Sequence, residues 1–79
     1  MLSMLDTPEQ RQHLIDLANT RMPFGKYTGR RLLDLPEPYL AWFARNGFPH
    51  GKLGSLLRTA FEVKTNGLEP LVRPLQTRQ

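Results

Sequence analysis

Residues 22–31 read MPFGKYTGRR, and this stretch decides the fold because it interrupts an otherwise helical pattern. Pro23, Gly25 and Gly29 all disfavour helix: proline lacks the N–H of the helical ladder, and glycine loses the most freedom on being confined there. Phe24 and Tyr27 suit extended backbone. The spacing predicts a loop or small two-stranded hairpin over 22–33, turning at Thr28-Gly29. A lone hairpin is marginal in water, so this one must pack on its neighbours. Met22, Phe24 and Leu32 are the expected anchors.

On its N-terminal side, DTPEQRQHLIDLANT (6–20) reads as a helix. Thr7 caps it, Pro8 takes the first helical position and Gln10 lies three residues after the cap. Leu14, Leu17 and Ala18, with Ile15 at the margin, form its apolar stripe, and Asn19 is the stop. On the C-terminal side, LPEPYLAWFARNG (35–47) predicts a second helix over 37–46. Its prolines fall where missing N–H groups cost nothing, and Gly47 ends it. A third helix runs from about Lys52 to Thr65, with Leu53, Leu56, Leu57, Ala60 and Phe61 at helical spacing and the Lys64 stem closing the stripe. Gly54 within it permits a close helix contact, and Asn66-Gly67 stop it. Pro70 and Pro74 break up a short tail from which Leu68, Leu71 and Val72 dock on the core. The expected fold is mostly α, three helices with a small β-hairpin or extended loop between the first two.

Seventy-nine residues allow one small domain, 1–79, with no internal repeat or linker. A chain of this length buries only about 60% of the surface its unfolded form exposes, so large side chains are needed inside. Trp42, Phe43, Phe48 and Phe61 are therefore expected in the core, leaving Tyr27 as the aromatic placed outside. The absence of cysteine excludes disulfides, thiolate metal sites and a cysteine nucleophile. No apolar run has the length of a membrane span, and MLSMLDTPEQ has neither the basic start nor the apolar stretch of a signal peptide. A cytoplasmic protein with no membrane role is the expectation.

Catalytic and metal patterns are missing. His13 and His50 are far apart and lack ligand spacing, so both are expected on the surface, and no metal or other cofactor is expected. Asp34 and Glu37 are near one another, but acids at a helix start serve its dipole. GKLGS (51–55) lacks the spacing of a phosphate loop, and no nucleophile elbow occurs. The chain is not expected to be an enzyme.

Charge is more informative. The net charge is +4, yet residues 21–58 alone carry +5 and the remainder −1. A basic centre between near-neutral ends suits an anionic partner. Lys26, Tyr27, Arg30 and Arg31 form the expected nucleic-acid contact in the loop, with Lys52 and Arg58 extending the positive surface. Such a site would hold DNA or RNA by its backbone, and a ring beside a cation can also stack a base. The alternative is a module that binds a protein partner or itself, which gains weight if Trp42 or Phe43 lies exposed in an apolar patch. A third reading is an anionic small-ligand site between the 25–30 loop and the start of the third helix.

Residues 22–71 also resemble a known family, small bacterial proteins named putative quorum-sensing-regulated virulence factor. The ordered residues Phe24-Gly25-Lys26-Tyr27, Gly29, Leu35-Pro36, Tyr39-Leu40, Trp42-Phe43, Gly47-Phe48-Pro49 and Gly51-Lys52-Leu53-Gly54 carry the resemblance. A shorter piece, MPFGKYTGRRLLDLPEPYLAWF (22–43), is similar to a module at the C-terminus of proofreading-type bacterial exonucleases, with Thr28 where relatives carry a second Lys or His. The catalytic nuclease domain of those proteins has no counterpart here. This second resemblance implies an accessory role at nucleic acid, without activity.

Overall fold

The computed structural model describes residues 7–77. The Thr7 hydroxyl accepts the Gln10 amide at 3.1 Å and starts helix α1 (Pro8–Asn19), whose first turn holds Pro8. Helix α2 (Glu37–Asn46) begins after Pro36, carries Pro38 in its first turn, and ends where the Gly47 amide donates to the Phe43 carbonyl at 2.7 Å. Helix α3 (Gly51–Thr65) starts one residue before the expected Lys52. It closes with Gly67 at φ +68°. There the Gly67 amide reaches the Lys64 carbonyl and the Leu68 amide the Val63 carbonyl, a Schellman ending that turns the chain back onto the core.

Two expectations need correction. The tail is not merely broken by its prolines: Pro70 sits in the first turn of a fourth helix, α4 (Glu69–Val72), followed by a 3-10 turn at Arg73–Leu75. The hairpin shrinks to one antiparallel bridge between Arg21 and Arg31, and no strand forms among the described residues. Beyond that bridge the chain coils through two overlapping turns, with the Thr28 amide on the Gly25 carbonyl and the Arg30 amide on the Tyr27 carbonyl. Pro23 has no amide to continue a ladder, so pairing stops there. After the bridge a 3-10 turn, Leu32–Asp34, leads into α2.

The core joins every helix. Leu14, Leu17 and Ala18 of α1 meet Met22, Leu32, Leu33 and Leu35 of the connection, Leu40 and Phe43 of α2, Leu56, Leu57, Ala60 and Val63 of α3, and Val72 of α4. Val63 joins the α3 stripe beside Lys64, whose side chain is only 11% exposed and whose ammonium pairs with Glu69 at 3.4 Å. Leu71 points outward. Asn19 does more than stop α1. Its amide donates to the Ile15 and Leu75 carbonyls, and its side-chain oxygen accepts the Thr77 amide, so it holds the tail against the helix. Among the described residues no helix is long and apolar enough to cross a membrane. The expected lack of a signal segment concerns residues 1–6 in part, and those lie outside the described residues.

Gly54 faces the loop before α3, not another helix. A Cβ there would lie 1.6 Å from the Pro49 carbonyl oxygen, which cannot yield without moving backbone. Gly54→Ala is therefore expected to cost about 1–3 kcal/mol, the usual range for overpacking. Urea denaturation checks it, and an unchanged midpoint would show that Pro49 does not press on α3.

Candidate functional site

Helix α2 is short and carries three aromatic residues, which one buried stripe cannot absorb. Phe43 is buried; Tyr39, one turn earlier, is half-buried beside it with ring centroids 5.2 Å apart, edge to face. The loop brings Tyr27 to the far side of Tyr39, again edge-on, at 4.7 Å and 71°. Phe48 continues the row beyond Phe43 in a stacked arrangement at 6.2 Å, while Trp42 branches from Phe43 at 5.2 Å. Gly25 makes the loop's approach possible. Its φ is +80°, and a Cβ would already touch the Tyr39 hydroxyl at 3.4 Å.

Along this row runs a groove of about 820 Å³, lined by Phe24, Gly25, Lys26, Tyr27, Pro36, Pro38, Tyr39, Trp42 and Phe43. Two smaller depressions, 290 Å³ at Pro8, Arg11, Gln12 and Ile15 and 200 Å³ around His13 and Thr59, have no aromatic lining. The groove overturns three expectations. Phe24 is 46% exposed and anchors nothing, because the turn at Gly25 breaks the alternation that began with buried Met22. Trp42 is 51% exposed, since it lies round the helix from Leu40 and past Phe43. Tyr27 is half-buried, not outside.

The expected cations divide. The Lys26 ammonium lies 5.5 Å and the Arg30 guanidinium 5.3 Å from the Tyr27 ring centre, so these two gather at one end of the row. Arg58 lies 5.0 Å over Phe48 at the other end. Arg31 and Lys52 belong elsewhere: Arg31 donates to the Thr77 carbonyl at 2.6 Å, and Lys52 pairs with Asp16 at 2.8 Å. Arg21 donates to the Gly29 carbonyl and braces the loop.

The Lys52 contact, helped by the Gln12 amide, holds the Asp16 carboxyl below its ordinary value of 3.8. Whatever stability this pair supplies is present above the ordinary carboxylate range and is lost as pH falls through the lowered value. Asp34 accepts from Arg73 at 2.7 Å, and that bond, before the one to Glu69, raises the Arg73 value. Asp34 thus serves the tail instead of the start of α2. His13 is also less superficial than expected: its Nε2 meets the Thr59 hydroxyl at 2.8 Å and links α1 to α3. Among the described residues no three His, Cys, Asp or Glu side chains converge as a metal site.

Fold and site together define a small helical domain with an open aromatic groove edged by cations. The chain belongs to the family described as putative quorum-sensing-regulated virulence factor, which matches residues 10–75. It is 59% identical over 68 residues to "Uncharacterized protein YpeB" of Escherichia coli strain K12, a span of 85% of this chain and 94% of that relative. The protein of the same name from Escherichia coli O157:H7 matches equally. No solved structure matches the chain significantly.

If Trp42 serves the surface and Phe43 the fold, their truncations must differ. Phe43→Ala is expected to cost about 3–5 kcal/mol as a buried aromatic, and Trp42→Ala about 1 kcal/mol or less. Denaturation of both variants checks this, and equal losses would return Trp42 to a structural role.

Proposed function

We propose that this chain is a non-catalytic module, needing no cofactor, that binds DNA or RNA at the phosphate backbone through the end of the groove where Lys26 and Arg30 meet Tyr27. The pairing of both cations with one ring at the edge of an open groove carries this reading. Each cation is exposed, so a phosphate reaches it without the protein desolvating a buried charge. No acidic side chain lines the groove. Arg58 at the far end of the aromatic row extends the positive surface, and the basic balance of residues 21–58 favours an anionic partner.

A second reading is favoured by one observation. Phe24 and Trp42 are exposed in the groove that Pro36 and Pro38 also line, an apolar face of the kind that protein partners or a second copy cover.

Fluorescence anisotropy of labelled oligonucleotides at low and high salt separates the two. Binding is expected to weaken steeply with salt, and Lys26→Glu/Arg30→Glu to abolish it. Loss of two phosphate contacts from wild type to a neutral Lys26→Gln/Arg30→Gln pair flattens the salt slope by about 1.4–1.8. Arg31→Glu is expected to act mainly by loosening the tail at Thr77, lowering stability more than affinity. No binding at low salt, with mass rising with concentration in sedimentation, would replace this reading with self-association.

A further inference from the structure

Backbone binding uses only the cations and leaves the exposed rings unexplained. Phe24 and Trp42 are 46% and 51% exposed, and both line the one groove that Lys26 also lines. Tyr27, Tyr39 and Phe43 line the same groove, packed edge to face with one another. Trp42 is held edge to face by Phe43 at 5.2 Å, and both exposed rings share the groove with Lys26.

We infer that the groove takes the unpaired bases of a single-stranded nucleic acid, stacked on Trp42 and Phe24, while Lys26 and Arg30 hold the adjoining phosphates. This rests on the backbone-binding reading above and adds to it the strandedness of the ligand. A single strand offers a flat ring and a negative charge in every nucleotide, and the groove offers flat rings and positive charges side by side. A duplex hides the faces of its bases in its own stack, so only its phosphates could meet this surface. Stacking tolerates any base, since every base has a π face, and no side-chain amide or carboxylate lines the groove to read base edges. The occupant is thus single-stranded and bound without strong sequence preference.

Trp42 is the only tryptophan, so its emission reports the groove directly. The full chain is titrated, at about 50 mM salt where phosphate contacts are strong, with a thymidine 12-mer, an abasic 12-mer of the same backbone, and a mixed-sequence duplex. The 12-mer is expected to quench Trp42 and to bind more tightly than the abasic strand or the duplex. Trp42→Ala should lower affinity for the 12-mer by about 5- to 140-fold, as loss of one stacked base does, and lower abasic binding far less. Trp42→Phe should recover most of the difference, and Phe24→Ala should reproduce part of it. Equal affinity for the thymidine and abasic strands, or a tighter duplex, would overturn this inference while leaving backbone binding intact. Absence of binding to all three would remove both. Quenching by a proline-rich peptide, with none by the 12-mer, would give the groove to a protein partner instead.

Discussion

The edge-on contact between Tyr27 and Tyr39 is the constraint on which the site depends. Residues 22–30 contain no regular structure and bury only Met22, so the loop has little with which to fix its own position. Tyr27 fastens it to α2, and such a ring pair adds about 0.5–1.5 kcal/mol beyond the area it covers. That contact sets where Lys26 and Arg30 lie. It also closes one wall of the groove against the Tyr39–Phe43 face. The backbone supports it locally, through the Arg21–Arg31 bridge and the positive φ of Gly25.

The distribution of large side chains departs from what a small domain leads one to expect. A small domain is expected to spend its aromatics on the core, yet Phe43 is the one aromatic residue among the buried set. Leucines from α1, the connection, α2 and α3 fill the interior instead. Phe24, Tyr27, Tyr39 and Trp42 are left half-buried or exposed along the groove between α2 and the loop. A core of leucine with a surface of aromatic residues is how a short chain can be stable and still present a broad apolar face.

Much of the fold was legible because its signals are local. Thr7 with Pro8, Gly47 after Arg45-Asn46, and Asn66-Gly67 each mark a helix end by backbone chemistry that needs no distant partner. The loop was legible as a break but not as a shape, since whether Pro23 ends a ladder depends on pairing across the chain. The helix α4 was hidden by prolines that turned out to occupy first-turn positions. That Lys26, Tyr27 and Arg30 are neighbours was readable from composition, because cations and a ring sit together in sequence. That Phe24, Tyr39 and Trp42 line the groove was not. Hydrophobicity alone says that a ring prefers burial, and only the three-dimensional packing of leucines shows that the interior is already full. That Arg31 and Lys52 lie away from the groove was hidden for the converse reason: their partners, Thr77 and Asp16, are distant in sequence.

The most direct test is a nitrogen–proton correlation spectrum of the labelled chain, recorded while a short thymidine oligonucleotide is added. The largest shifts are predicted at the Trp42 indole N–H and at the amides of Phe24, Gly25, Lys26 and Tyr27, with α1 and α4 quiet. Shifts centred on Lys52, the tail or α1, or no shifts at low salt, would contradict the assignment of function to the aromatic groove.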